Sequence, residues 1–228
     1  MVNKLISYCD EKLDLKNTHL DNEYYYSCLT NCLIDAVFSI GIKYSTTKNI
    51  IINFCKYMNI QEFREFNSVY PDIKFQFSIE DLILLYEKNT LEEITEKIYK
   101  NKNRTSSRNG ILKSQVVLEC AKILQKYDVN YFQDIYKIQD NSNFELDFKS
   151  VKGQGSGISL KYFFMLTGND DLIKPDRMIE RFVYDCLKVH LVKEDIIRVF
   201  DEVILELKKR YPDLTLRKLD HEIWKYQR

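Results

Sequence analysis

Residues 151–182 read VKGQGSGISLKYFFMLTGNDDLIKPDRMIERF, and they contain the most informative pattern of the chain. Three glycines, Gly153, Gly155 and Gly157, alternate directly before an apolar segment. Because glycine tolerates positive φ and lets the backbone approach a ligand closely, the spacing predicts a tight turn. A turn that leads into a helix N-terminus presents free N–H groups and the positive end of the helix dipole, which suits a phosphate. The glycines alone also fit a plain connector between two helices.

The sequence around these glycines is basic. Lys149, Lys152 and Lys161 flank the turn, and no acidic residue lies between Phe148 and Asn169. A local excess of positive charge attracts anions even where the whole chain is neutral. The segment therefore predicts an anion-binding turn between two helices.

An aspartate, Asp176, follows the apolar helix Ile158 to Thr167 and opens the next helical pattern, which contains Arg181. Aspartate at the start of a helix most often caps its free N–H groups. A carboxylate in this position can also serve chemistry, so the capping and the catalytic interpretations are compatible.

The composition of the 228 residues favours an all-α protein. Only 6 Gly and 3 Pro occur, which is too few for the many turns that a β protein needs. Hydrophobic residues make up 45 %, the formal net charge is zero, and no apolar run is long enough for a membrane span. Met1 to Leu15 mixes charged with apolar residues and does not resemble a signal peptide, so we expect a cytoplasmic protein.

Helical spacing is strong in the first third of the chain. We expect Asp21 or Asn22 to cap one helix and Gly41 to end it, and Ser78 with Asp81 to form a capping box further on. The apolar positions of the first helix follow i, i+3, i+4, i+7 spacing: Tyr25, Cys28, Leu29, Cys32, Leu33, Ala36, Val37 and Ile40. The cysteines and histidines show no metal-ligand spacing.

Taken together, Val151 to Phe182 resembles the signature of the helix-hairpin-helix DNA glycosylase superfamily. The matching features are Gly153-Gln154-Gly155, the apolar helix that ends at Gly168, and then Asp176 with Arg181. The resemblance extends weakly to Leu33–Tyr44 and to Gly110–Leu124. It implies one all-helical, orthogonal domain over residues 1–228, with the helix-hairpin-helix at about 144–167 and two lobes with the active-site cleft between them.

The resemblance implies a monofunctional enzyme that hydrolyses the N-glycosidic bond of a flipped-out base in double-stranded DNA, as in the alkyl-base glycosylases. Asp176 would stabilise the positive charge that builds on the deoxyribose. The hairpin would bind phosphate through Lys152, Gly153, Gln154, Gly155, Gly157 and Lys161. A damaged base and a hypermodified viral base, which would make this a defence protein, are both open.

Three positions depart from the family pattern. Gly157 stands where bifunctional members carry a catalytic lysine, so Schiff-base and lyase chemistry are not expected. Only Cys186 follows Asp176, so an iron–sulfur cluster is excluded. Gly41 occupies the approximate place of the residue that plugs the DNA. We therefore expect a monomer without a cofactor, with room for a monovalent cation at the hairpin.

Two further groups complete the predicted site. The run from Lys97 to Lys113 contains basic residues and no acidic one, and we expect Arg104, Arg108 and Lys113 to contact phosphates, although a solvated loop is the plain alternative. Aromatic side chains at Tyr26, Phe38 and Tyr44 would stack on the base, although core packing also explains them.

Two other functions remain open at this point. A DNA-binding module that keeps the hairpin but lacks turnover is favoured by the neutral charge and by Gly157, whereas Asp176 favours the enzyme. In a helical protein–protein adaptor, the glycine cluster would be incidental. Salt-dependent DNA binding separates the adaptor from the other two.

Overall fold

A computed structural model describes residues 1–65 and 68–228 of the chain. The regular structure of these residues is helical, and within them strand-like pairing is limited to two isolated bridges, Tyr26 with Phe63 and Arg104 with Leu112. The prediction of an all-α protein is confirmed. No helix in the described ranges is long and apolar enough to cross a membrane.

The helices are numbered in chain order. The α-helices are α1 (Val2–Lys12), α2 (Leu29–Phe38), α3 (Tyr44–Met58), α4 (Ile79–Lys88), α5 (Leu91–Glu93), α6 (Lys113–Lys126), α7 (Ser142–Ser150), α8 (Ile158–Leu166), α9 (Arg177–Leu187), α10 (Lys193–Lys208) and α11 (Leu216–Gln227). A π-helical turn, Ile94–Ile98, continues α5, and short 3₁₀ turns cover Asn22–Tyr24, Ile73–Phe75 and Phe132–Lys137.

The described residues form two compact units. The discontinuous unit combines Met1–Asp21 with Gly168–Arg228, and the continuous unit runs from Asn22 to Thr167. The glycine turn belongs to the continuous unit, whereas Asp176 belongs to the discontinuous one. The prediction of one domain over residues 1–228 stays a prediction.

The discontinuous unit is a bundle of four helices. Helix α1 packs against α9 and α10, and α11 packs against α9. Each helix buries an apolar stripe and exposes a charged face, which is the pattern of a surface helix in a globular protein. Its core contains buried side chains from all four helices, among them Leu5, Phe182, Phe200, Leu219 and Ile223.

Helix α2 is the centre of the continuous unit. All ten of its residues, LTNCLIDAVF, are buried, and it packs against α3, α4, α6 and α8. A helix that buries every side, and most of whose residues are apolar, is stable only when other elements surround it. One residue of this helix, Asp35, is charged, and the site around it is described below.

The predicted start of α2 is wrong, whereas the predicted start of α4 is correct. Helix α2 begins at Leu29, because the chain before it is extended: Tyr26 bridges Phe63, and the Ser27 N–H donates to the Glu62 carbonyl at 3.0 Å. This long-range pairing outweighs the local helical spacing. At α4, Ser78 and the Asp81 side chain form both hydrogen bonds of the expected capping box.

Candidate functional site

A short turn joins α7 to α8 and contains the three alternating glycines. The Gln154 N–H donates to the Val151 carbonyl, and the Gly157 N–H donates to the Gln154 carbonyl, both at 2.9 Å. Gly153 has φ of +92° and Gly157 has φ of +70°, a region that strongly favours glycine. The two helices and the tight turn expected from the sequence are therefore present.

Gly153 is required by a contact within the protein. A Cβ atom built on Gly153 would lie 2.5 Å from the Thr105 Cβ, whereas one built on Gly155 would meet the Lys149 carbonyl oxygen at an ordinary 3.8 Å. Gly153 therefore lets the loop that carries Thr105 approach the turn, and Gly155 has room for a side chain. This contact brings the basic loop and the glycine turn together.

The polar groups of the turn differ in what they can bind. Gln154 is 2 % exposed, its side chain accepts a hydrogen bond from Ser159 Oγ, and its backbone N–H is used within the turn, so the prediction that Gln154 contacts DNA does not fit its position. Among the described residues, no acceptor receives the backbone N–H groups of Gly155 and Ser156. Lys152 is exposed, and Lys161 is half-buried in the first turn of α8.

The basic loop before α6 is ordered by its own hydrogen bonds. Arg104 Nη1 donates to the Gly110 carbonyl at 2.8 Å, and the Thr105 N–H donates to the Ile111 carbonyl at 3.0 Å. Arg104 and Arg108 are exposed. Because these links close the loop, both arginines lie on a defined hairpin beside the glycine turn.

Acidic residues reduce the positive charge of this surface. Lys97 pairs with Glu93 at 2.8 Å, and Lys102 pairs with Glu96 at 2.5 Å. The run from 97 to 113 lacks acidic residues in sequence, but the turn before it supplies them in space. The positive field is consequently weaker than the sequence alone indicates.

Lys113 lies in the interior, and the prediction that it contacts DNA does not fit its position. Its side chain is 3 % exposed, and its ammonium donates to the carbonyls of Phe38 at 2.7 Å and Ile40 at 2.5 Å. These are free carbonyls at the C-terminal end of α2, where a cation is favourable. Burial lowers the pKa of Lys113 to about 8. Lys113 therefore caps α2.

Asp176 is the N-cap of α9. Its Oδ1 accepts the N–H groups of Met178 at 2.8 Å and Ile179 at 3.4 Å, which fixes the carboxylate against the positive end of the helix dipole. Its Oδ2 lies 3.4 Å from the Lys174 ammonium, and a quarter of the side chain is exposed. Asp176 is thus a held carboxylate that solvent can reach.

A second aspartate, Asp220 of α11, contacts the backbone of Lys174, the residue whose ammonium lies near Asp176. It is 4 % exposed, and its Oδ1 accepts the Lys174 N–H at 2.8 Å. Burial raises the pKa of Asp220 to about 7; the Lys174 ammonium opposes this rise, and the Asp176 carboxylate adds to it. Lys174 therefore stands between two carboxyl groups. The sequence analysis did not single out Lys174.

The three aromatic residues predicted to line a base pocket are not together. Phe38 is fully buried and packs edge-on against Tyr99, with ring centroids 5.3 Å apart, so it belongs to the core. Tyr26 is also buried. Tyr44, which is hydrogen-bonded to Tyr26 and Glu23, is half-buried and is the one of the three with accessible surface.

Tyr26 belongs to a buried polar cluster around Asp35 that the sequence interpretation missed. The fully buried Asp35 carboxylate accepts hydrogen bonds from Tyr26 Oη at 2.8 Å, Ser39 Oγ at 2.5 Å and Tyr162 Oη at 3.3 Å. Burial raises the pKa of Tyr26 well above its ordinary value. One signal was present in the sequence: an aspartate within an otherwise apolar helix must find buried partners.

No group of three or more His, Cys, Asp or Glu side chains able to hold a metal occurs in the described ranges. All six cysteines are free thiols, five of them buried.

The described residues thus form an all-α protein with a glycine turn and an aspartate that caps a helix. Residues 3–228 match the model of a family described as a domain of unknown function (DUF8548), and the chain belongs to that family. No curated protein and no solved structure matches the chain.

Proposed function

We propose that the protein is a monofunctional DNA glycosylase of the helix-hairpin-helix class. The observation that carries this proposal is the state of Asp176: its carboxylate is fixed at the N-terminus of α9 and a quarter of its side chain is exposed. The segment in which it lies resembles the residue pattern of that class. Supporting evidence comes from the glycine turn, whose geometry leaves two amide groups without protein acceptors in the described ranges.

The proposed chemistry is hydrolysis of an N-glycosidic bond. As the bond from C1′ to the base breaks, positive charge develops on the deoxyribose, and the departing base takes the electron pair. A carboxylate held by Met178 and Ile179 N–H groups keeps its place while this charge forms. Water then adds to C1′ and loses a proton, which leaves an abasic site and a free base.

The DNA would be held through its phosphates. The N–H groups of Gly155 and Ser156 are available for one phosphate oxygen, and the exposed Lys152, Arg104 and Arg108 add positive charge. Contacts of this kind set register without reading sequence, so the base would be chosen by a pocket that receives it after flipping. Gly157 offers no amine, so the proposal includes no lyase step.

The decisive experiment is incubation with duplexes that carry alkylated purines or hypermodified bases, followed by alkaline cleavage at abasic sites. Wild-type protein should release one class of base, and Asp176→Asn should reduce the rate by about 10²-fold or more because the charge is lost while the cap is kept. Asp195→Asn, an exposed carboxylate of α10, is the matched control and should retain activity. Undiminished excision by Asp176→Asn would rule out the assigned role.

DNA binding is tested at the turn itself. Gly155→Val should fold, because the nearest atom to its new Cβ lies 3.8 Å away, yet the side chain should block a phosphate and weaken binding to all sequences alike. Arg104→Ala with Arg108→Ala should lower the slope of binding against salt by up to about two units. If folded Gly155→Val binds DNA as tightly as wild type, the turn only connects α7 to α8 and does not bind a phosphate.

A second function, DNA binding without turnover, is favoured by one observation. Both oxygens of Asp176 have protein partners, namely the α9 N–H groups and the Lys174 ammonium. A carboxylate engaged in this way can be purely structural. The same panel of duplexes separates the two functions. A binding module would bind the duplexes with an affinity that falls as salt rises, and it would release no base.

A further inference from the structure

Lys174 is held in an unusual arrangement between two carboxyl groups. Its backbone N–H donates to Asp220 Oδ1 at 2.8 Å, while its ammonium lies 3.4 Å from Asp176 Oδ2. The Lys174 side chain is 13 % exposed, so its charge is little screened by water. The carbonyl of the same residue accepts the Asp176 N–H at 2.7 Å. Backbone and side chain of Lys174 therefore both act on Asp176.

Asp220 contacts this arrangement through the Lys174 backbone. It is buried on α11, and its hydrogen bond fixes the turn that delivers Asp176 to the start of α9. The charged groups that act on its carboxyl are Lys174 and Asp176, both from the segment before α9. On its own helix, the adjacent His221 is paired instead with Asp21, at 3.3 Å.

From this geometry we infer that Asp220 is a positioning residue for Asp176, which acts through Lys174 and sets how much of the Asp176 charge is available to a cationic reaction centre. When Asp220 is protonated, the Lys174 ammonium is balanced by Asp176 alone. When Asp220 is ionised, it shares that ammonium, and the Asp176 carboxylate is less neutralised. The inference rests on the proposed function for its catalytic consequence but not for the coupling between the three groups.

The coupling has a direction in pH. Because burial raises the pKa of Asp220 to about 7, this group changes charge near neutrality. Base release by wild-type protein should therefore rise about threefold to tenfold from about pH 6 to about pH 8 in single-turnover assays. Asp220→Asn keeps an acceptor for the Lys174 N–H but cannot ionise, so its rate should be flat over that interval and should match wild type near pH 6.

Two further variants separate position from charge. Asp220→Ala removes the acceptor, so the turn before α9 loses its anchor and the rate should fall on the order of 10-fold to 100-fold at every pH. Lys174→Gln keeps the backbone hydrogen bond but removes the shared cation, and it should abolish the pH dependence while retaining base release. Asp195→Asn is again the control, with the pH profile of the wild type.

A measurement without substrate tests the coupling between Asp220 and Asp176 independently of the proposed enzymatic activity. In a ¹³C NMR titration, the Asp176 carboxyl signal of wild type should show an inflection near pH 7 that Asp220→Asn lacks. If no DNA releases a base but the inflection is present, the glycosylase proposal fails and the coupling stands. If the inflection is absent from wild type, or persists in Asp220→Asn, the inference about Asp220 is overturned whatever the activity.

Discussion

Asp35 and Asp220 are both buried aspartates on helices, one in each unit, and their surroundings differ. The Asp35 carboxylate accepts three side-chain hydroxyls, from Tyr26, Ser39 and Tyr162. The Asp220 carboxyl accepts one backbone N–H, from Lys174, and otherwise faces the charges of Lys174 and Asp176.

The difference separates two uses of a buried acid. Hydroxyl donors from α8 and from the segment before α2 converge on Asp35, so its role is to hold α2 against its neighbours. Asp220 binds a turn rather than a helix, and its charge is compensated only by an ammonium that another carboxylate shares. A fully satisfied acid stabilises the fold, whereas a partly satisfied one responds to pH.

The largest expected effect is on Asp35. Asp35→Ala should lower the free energy of unfolding by about 4 kcal/mol, because the hydroxyls of Tyr26, Ser39 and Tyr162 lose a charged acceptor. Urea denaturation measures this change. Asp35→Asn keeps one acceptor oxygen and should lose roughly half as much. A loss below that of an exposed control such as Asp195→Ala would mean that the cluster does not hold α2.

Replacing Asp220 should raise the free energy of unfolding near neutral pH, whereas replacing Asp35 lowers it. Its pKa is raised to about 7 in the folded protein, against an ordinary value near 3.8, so the stability that it contributes is present below about pH 4 and is lost as the pH rises through 7. Asp220→Asn removes this dependence. Relative to wild type, the variant should gain about 3.7 kcal/mol between about pH 4 and about pH 8.

Thermal or urea unfolding at the two pH values measures the gain. Asp195→Asn, which changes an exposed carboxylate, serves as the control and should follow wild type. A variant that tracks the wild-type pH dependence would show that Asp220 is ionised throughout, and the contrast with Asp35 would disappear.

The smallest expected effects are those of the single hydrogen bonds that the Asp35 carboxylate accepts. Its bond to Tyr26 Oη is 2.8 Å long, and its bond to Tyr162 Oη is 3.3 Å. Tyr26→Phe should therefore cost about 1.5 kcal/mol and Tyr162→Phe about 0.5 kcal/mol, measured as changes in urea midpoint at constant slope. Equal costs would show that the cluster is not organised by these distances.

The parts of the structure that the sequence predicts are local. Scarce glycine and proline indicate the all-α class, the Ser78–Asp81 pair predicts the start of α4, and the glycine spacing predicts the turn between α7 and α8. Asp176 was expected to open α9, and it caps that helix. Each of these depends on residues within a few positions of one another, where propensity and capping act directly.

The parts that escaped prediction depend on residues far apart in the chain. Tyr26 pairs with the strand-like segment at Phe63, Lys113 reaches the end of α2, and Asp220 binds the turn at Lys174. A pattern of charge and hydrophobicity gives a lysine the same appearance whether it is exposed or buried. Only the approach of α6 to α2 shows that Lys113 is a cap and not a phosphate contact.

Because the discontinuous unit combines two separate parts of the chain, its helices become available for folding at different times during synthesis. Helix α1 precedes the continuous unit in the chain, whereas α9 and α10, the helices against which it packs, follow that unit. The whole continuous unit, from Asn22 to Thr167, is therefore synthesised before the partners of α1 are available. Until α9 and α10 have been synthesised, the apolar stripe of α1, with Leu5 and Cys9, lacks the helices that bury it in the folded unit.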